Sequence, residues 1–287
     1  MAPCWAVEED VDLVDNLAER AMRSGRRVGL VVGYVAGGEE WVRGYGRCGT
    51  GAPDRPDGGT IFEIGSITKV FTGLLLADLA ERGIVGLDDP PARYLPASAA
   101  GPTSGGREII LADLASHTSG LRRDPKGMLG RWLGDRHNPY AALSAEDVYE
   151  GLARTRLRRR LGERARYSNL GAGLLGQALA RAAGQPYEQL VRERIGLPLD
   201  VRHLRHPVRG AGRAVGRRHT RRGRPVGRFE LPALAGAGGA TLHGPRHAAV
   251  PGRQPRPGLH APGRPARTHP ASPGTGWAGE WTSGSAG

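Results

Sequence analysis

Lysine is almost missing from this chain. Its 287 residues contain two, Lys69 and Lys126, whereas 39 of the 41 basic side chains are arginine. A lysine here is therefore an exception to be accounted for, not a default surface charge. Cysteine also occurs twice, at Cys4 and Cys48. Two cysteines exclude a disulfide-built scaffold, and a pair so far apart in sequence is expected to stay reduced. The residue pattern suggests no metal site and no other cofactor. No run of eighteen apolar residues occurs, and the opening M1-A-P-C-W-A-V-E-E-D10 lacks a basic stretch followed by an apolar one. The expectation is no membrane partner, no export leader and a cytoplasmic location. Aromatic residues make up 5% and hydrophobic residues 39%, both low for a globular chain.

Those averages hide a division. Residues 1 to 200 balance 26 basic against 26 acidic side chains, whereas residues 201 to 287 hold 15 arginines and only Glu230 and Glu280. The whole formal charge of +13 thus sits in the last 87 residues. Two regions are expected, 1 to 200 as a folded body and 201 to 287 as an atypical tail rich in Arg, Pro and Gly.

Within the first region the periodicities are legible. Residues 7 to 24 set Val7, Val11, Val14, Leu17, Ala18 and Ala21 on one stripe ending at Gly25, which predicts an amphipathic helix. Val28 to Val35 is a β-branched run, and G37-G38 before Glu40-Trp41-Val42 predicts a hairpin. A helix is expected from about Ser66, with Phe71, Leu74, Leu75 and Leu79 buried and Gly83 as its stop. Residues 107 to 121 and 144 to 157 read as further helices, as does the stretch from Tyr167-Ser168-Asn169 to near Gly184.

The rare lysine supplies the chemistry. Ser66 and Lys69 are three apart, so on a helix the ammonium lies beside the hydroxyl. Eleven serines and two lysines give about 0.08 S-x-x-K matches by chance, and Y-x-N has a similar expectation of about 0.07. Finding Tyr167-Ser168-Asn169 101 residues after Ser66 makes the ordered pair a strong signal for serine acyl transfer. A serine hydroxyl is a weak nucleophile unless a neighbour takes its proton. Ser66 is the expected nucleophile, with its own N–H at the helix start as an oxyanion donor. Lys69 would stabilise an anion on a neighbouring side chain or, desolvated, act itself as base; both remain open. Tyr167 is the expected general acid/base, and Asn169 would bond Lys69 or the substrate carbonyl.

Several motifs together resemble the serine β-lactamase-related family: F62-E-I-G-S-I-T-K69, L87-D-D-P90, Y94-L-P96, L114-A-S-H-T-S-G-L121 and Y167-S-N-L-G-A-G-L-L-G176. That family includes class C β-lactamases, D-alanyl-D-alanine carboxypeptidases, D-aminopeptidases and esterases. The resemblance covers about residues 25 to 200. It implies an α+β, β-lactamase/transpeptidase-like fold, an antiparallel sheet flanked by helices beside an all-helical subdomain, with the site between them. It also implies final strands that complete the sheet, one carrying K-T-G or H-x-G. This chain departs there. No Lys follows Lys126, no H-x-G occurs, and G274-T-G-W277 lacks the cation. An absent oxyanion donor costs about 100- to 1000-fold in rate.

Three other patterns are set aside. His117 and Asp113 could suggest a Ser-His-Asp triad, but no G-x-S-x-G elbow exists. G171-A-G-L-L-G176 fits a dinucleotide pattern, yet no apolar strand precedes it, so close helix packing is the better reading. R154-T-R-L-R-R-R160 is read as a solvated helix face.

The sequence therefore predicts a serine hydrolase acting on a small-molecule ester, amide or β-lactam, with a catalytically inactive binding protein of the same fold as the competing reading. No specific nucleic-acid partner is expected, and nothing sets an oligomeric state. One further expectation concerns the tail. Residues 201 to 218 and 241 to 287 carry the bias of a GC-rich coding sequence read in a displaced frame, while residues 219 to 240 again resemble the family, with A235-G-A-G-G239 preceding a helix. Compensating shifts around 201 to 218 and another near Ala240 are expected. They would displace the closing strands and leave an exposed sheet edge beside a poorly ordered tail.

Overall fold

Two apolar helices, Thr68–Glu81 and Asn169–Ala182, form the centre of the described core, and their sequences explain why. The computed structural model describes residues 4–25, 27–36, 39–49, 55–157, 160–201, 219–220 and 224–243. The chain divides into Met1–Val250 and Pro251–Gly287, and every described residue belongs to the first unit. The expected frame displacements and the order of the tail concern residues outside the described ones.

Helix α1 (Cys4–Arg23) precedes a hairpin of β1 (Gly29–Ala36) and β2 (Glu39–Gly46), paired antiparallel with Tyr34 opposite Trp41. The two rings stack at 5.3 Å. The Asp15 carboxylate on α1 accepts hydrogen bonds from Arg43 and Tyr45 of β2. Burial, then the Asp15 carboxylate, pushes the Tyr45 phenol up to about 12. Ala18 is buried as expected, but Leu17 is 53% exposed, because α1 lies on a two-stranded ribbon too narrow to cover its full apolar stripe.

Strand β3 (Ile61–Glu63) leads through a 3-10 turn at Gly65–Ile67 into α2 (Thr68–Glu81). The helix predicted from Ser66 is therefore 3-10 for its first turn. Leu75 and Leu79 are buried as expected, and Phe71 packs partly against the core. Leu74 is not buried, at 46% exposure, and Leu76 is buried instead. The elements packed on α2 are helical and lie on one side, against Thr68, Thr72, Leu75, Leu76 and Leu79, so the face carrying Val70 and Leu74 stays open.

The helix expected over 107 to 121 is much shorter: α3 spans Leu111–Ala115. Asp113 accepts from the Ile110 N–H at its start, and the chain turns at His117, which has a left-handed φ of 62°. Helices α4 (Met128–Gly134) and α5 (Ala145–Ala153) follow. Ser144 caps α5 by accepting from the Asp147 N–H at 3.0 Å. Because α5 ends at Ala153, the arginine run from Arg154 is not the helix face expected; Arg154 pairs back to Glu150 at 2.9 Å, and residues 158 and 159 lie outside the described ones.

Helix α6 (Asn169–Ala182) buries ten of its fourteen residues, then α7 (Tyr187–Val191) continues into a π turn at Arg192–Gly196. A helix apolar on nearly all sides must be enclosed. Part of that enclosure comes from residues 231 to 240, in the region that charge alone had set apart. Leu231, Ala233, Leu234, Ala237 and Ala240 are buried in the same core. A 3-10 turn at Pro232–Ala237 lies against α6 with glycine on both sides of the contact. A Cβ on Gly176 would sit 2.8 Å from Gly236 Cα, and one on Gly236 would sit 2.5 Å from the Ala172 carbonyl. G171-A-G-L-L-G176 is thus a packing motif, as read from the sequence. Gly176→Ala is expected to cost about 1–3 kcal/mol by overpacking backbone on backbone, read as a lower urea midpoint.

After A235-G-A-G-G239 comes a strand, not the helix expected there: β4 (Thr241–His243) pairs antiparallel with β3, Phe62 opposite Leu242. Its pairing follows from two bonds just before it, Ile64 N–H to Ala240 O at 3.0 Å and Ala240 N–H to Thr68 Oγ1 at 3.2 Å. Residues after His243 lie outside the described ones. Helices and small antiparallel sheets make the fold α+β. Among the described residues no helix is long and apolar enough to cross a membrane. Cys48 is free.

Candidate active site

The 3-10 turn leaves Ser66 exposed at the start of α2, where backbone N–H groups have no intrahelical acceptor. One turn on, Lys69 projects from the same helix and is only partly exposed. Tyr167 is the last residue before the N-cap of α6, whose cap Ser168 accepts from the Gly171 N–H at 2.8 Å and donates to the Arg122 carbonyl at 2.6 Å. Those two bonds fix where α6 starts and so where Tyr167 points. Its hydroxyl donates to Ser66 Oγ at 2.6 Å.

Lys69 Nζ has three partners: Asn169 Oδ1 at 3.0 Å, the Ala237 carbonyl at 2.6 Å and Ser66 Oγ at 3.3 Å. Two are carbonyl oxygens, which only accept, so two N–H bonds are committed. The third tetrahedral position faces Ser66 Oγ, with an N–H in the ammonium or a lone pair in the amine. Burial, joined by the positive charge of Arg123, holds the Lys69 ammonium below the ordinary lysine value of 10.5, opposed by the Tyr167 oxygen and by Asp124. The environment therefore eases Lys69 toward the amine that a base requires.

Asn169 is buried at the first position of α6, and its partners fix its amide. Lysine only donates and a carboxylate only accepts, so Oδ1 faces Lys69 while Nδ2 donates to Asp124 Oδ1 at 3.0 Å. Asp124 also accepts from the Tyr140 hydroxyl at 2.7 Å, and burial followed by this carboxylate raises the Tyr140 phenol well above its usual range. The Asp124–Asn169–Lys69 chain orients the amine from behind.

All four residues singled out from the sequence, Ser66, Lys69, Tyr167 and Asn169, converge at one place. His117 does not act as a triad base toward Ser66. Its Nδ1 accepts from the Ser168 N–H at 3.3 Å and its ring lies 4.9 Å from that of Tyr167, while burial and the Lys69 charge lower its basicity. Asp113 is engaged by Arg107 at 3.0 Å and Thr118 at 3.1 Å. Asp124, Tyr140, Arg123 and the Ala237 carbonyl were missed. The last has no side-chain signal at all, and the others carry no spacing that links them to Ser66. Among the described residues no group of three or more His, Cys, Asp or Glu side chains could hold a metal ion.

Known proteins share this arrangement's framework. A family model described as Beta-lactamase matches residues 14–279. A D-alanyl-D-alanine-carboxypeptidase/endopeptidase AmpH of Escherichia coli (strain K12) is 35% identical over 192 residues, 67% of this chain and 48% of that protein. A beta-lactamase of Pseudomonas fluorescens is 27% identical over 67% of this chain and 49% of its own length. The chain thus spans about half the length of these curated relatives. A solved beta-lactamase/D-alanine carboxypeptidase from Yersinia pestis superposes with a TM-score of 0.66 at 30% identity, covering 81% of this chain and 64% of that one. A D-alanine carboxypeptidase AmpC from Burkholderia cenocepacia gives 0.67 at 27%, over 83% and 62%. The fold is accordingly of the β-lactamase/transpeptidase type. With the family match running over most of its length and the fold in agreement, the chain belongs to the Beta-lactamase family.

Proposed function

We propose that the protein is a serine hydrolase that cleaves an ester, amide or β-lactam through an acyl-enzyme on Ser66. The observation that carries this reading is the double contact on one oxygen: Ser66 Oγ lies 2.6 Å from the Tyr167 hydroxyl and 3.3 Å from Lys69 Nζ. In acylation Ser66 Oγ bonds the substrate carbonyl carbon, its proton passes to the Lys69–Tyr167 pair, and the same pair returns a proton to the departing oxygen or nitrogen. Water then repeats the sequence on the acyl-enzyme and releases the acid. The Ser66 N–H would donate a hydrogen bond to the developing oxyanion. The carboxypeptidases and β-lactamases among its relatives favour an amide or lactam, and the exposure of Ser66 is compatible with a simple ester as well.

Turnover of a chromogenic cephalosporin or 4-nitrophenyl ester tests this directly. Release of chromophore above the Ser66→Ala background supports hydrolysis, and stoichiometric binding without release assigns the chain to the binding reading. A pH profile adds a second check. Because burial lowers Lys69, the amine fraction grows as pH rises toward 10.5, so the acylation rate should climb with its midpoint below that of an ordinary lysine. A profile that is flat across pH 6 to 10 would exclude Lys69 as the titrating base.

A further inference from the structure

Helix α3 ends on a residue that its backbone does not favour. His117 follows the Ser116 cap at a left-handed φ of 62°, and the Thr118 N–H returns to the Asp113 carbonyl at 2.9 Å. In a helix end of this kind the left-handed place usually falls to glycine, sometimes to asparagine. Glycine would adopt it at no steric cost, whereas an imidazole stands there against the backbone preference. Among the described residues Asp200 is the only other non-glycine at positive φ.

What the imidazole touches is the segment that carries Tyr167. The His117 carbonyl accepts from the Arg166 N–H at 2.7 Å, and its Nδ1 accepts from the Ser168 N–H at 3.3 Å. Its ring lies 4.9 Å from the Tyr167 ring at a 45° tilt. One residue thus holds the chain before, at and after the side chain whose hydroxyl donates to Ser66 Oγ. Tyr167 is 39% exposed, so no enclosing core fixes its ring, and its direction depends on contacts such as these.

An imidazole nitrogen accepts an N–H only when it carries no proton, so the clamp requires the neutral ring with its hydrogen on Nε2. The surrounding charges favour that state. Lys69 of α2 and Arg123 both lie over the Tyr167 ring, at 4.6 and 5.4 Å from its centroid. Arg166, in the clamped segment, is an exposed cation, and Asp113 of His117's own helix is engaged by Arg107 and Thr118. Burial, then the Lys69 charge, holds His117 below the ordinary histidine value of 6.5. A proton on Nδ1 would set two donors against each other and open the clamp.

We propose that His117 is the positioning residue for Tyr167, holding its hydroxyl on Ser66 while the imidazole is neutral and releasing it when Nδ1 takes a proton. The catalytic consequence rests on the hydrolase reading, whereas the clamp can be measured without turnover.

NMR of the chain labelled in histidine and tyrosine reads the clamp, with His117→Asn and Tyr167→Phe assigning the signals. His117 should be the tautomer protonated on Nε2, its titration midpoint should lie below 6.5, and the Tyr167 ring signals should move with the same midpoint. The rate of Ser66 modification by a fluorophosphonate gives the catalytic arm. It should break downward at that pH in the parent, and His117→Asn should lack the break. At pH 8, His117→Gly should slow modification by about 10- to 100-fold, the scale of a misplaced catalytic group, while its urea midpoint stays near the parent's because glycine suits the backbone. His117→Asn should recover part of that rate, since its Oδ1 replaces the Nδ1 acceptor and asparagine tolerates the left-handed turn. In a Tyr167→Phe background the glycine change should cost nothing further. Tyr167 signals indifferent to the His117 ionisation, a ring protonated on Nδ1 at pH 8, or equal losses in the Asn and Gly variants would each overturn the proposal. A parent chain that is never modified at Ser66 would overturn the hydrolase reading alone, and the NMR midpoints would still decide the clamp.

Discussion

Ser66→Ala is expected to lower acyl turnover by a factor on the order of 10⁵ to 10⁶, down to whatever the remaining dipoles achieve without a nucleophile. The reason is that no other hydroxyl can replace it. Tyr167 donates to this oxygen, Lys69 faces it, and the N–H that would meet the oxyanion belongs to the same residue. Ser66 is exposed and makes no packing contact of consequence, so its unfolding midpoint should shift by no more than about 0.5 kcal/mol equivalent. A large loss of turnover with unchanged stability assigns the effect to chemistry. Residual turnover above about one percent of the parent would place the nucleophile elsewhere.

The second large effect is a coupling. Lys69→Ala and Tyr167→Phe should each slow acylation by about 100- to 10,000-fold, the usual range for a positioned acid or base. The double variant should be little worse than the poorer single one, because both act on one proton path through one oxygen. Tyr167→Phe is the cleaner change. It keeps the ring that lies 4.6 Å from Lys69 Nζ and removes only the hydroxyl. Lys69→Ala also strands the Ala237 carbonyl and Asn169 Oδ1, so its thermal midpoint must be read alongside its rate. Burst kinetics with a chromogenic ester measure all three rates. Losses that simply multiply would mean two independent roles.

Most of this site was legible before any fold was known, for a physical reason. Ser66 and Lys69 are linked by helical spacing, so local geometry forecast their approach, and the ordered Y-x-N motif added Tyr167 and Asn169 to them. Asp124, Tyr140 and the Ala237 carbonyl were not legible, since they meet Lys69 and Asn169 only through tertiary packing of α2, α6 and residues 232 to 237. The same limit explains the misjudged apolar stripes. Periodicity showed that Leu17 and Leu74 lie on apolar faces, but whether a face is covered depends on what packs there, and the neighbours of α2 lie on its other side. Charge likewise set residues 201 to 287 apart as a block, yet the apolar segment around Leu231 and Leu234 in that block closes the core against α6. Glycine at 173, 176 and 236 is what lets it approach.

The central claim is that Ser66 becomes covalently acylated. Intact-mass analysis after incubation with a fluorophosphonate, followed by peptide mapping, measures that bond itself. The account predicts one adduct per chain, on the peptide containing Ser66, and none in Ser66→Ala. An unmodified parent chain, or an adduct that persists in Ser66→Ala, would contradict it.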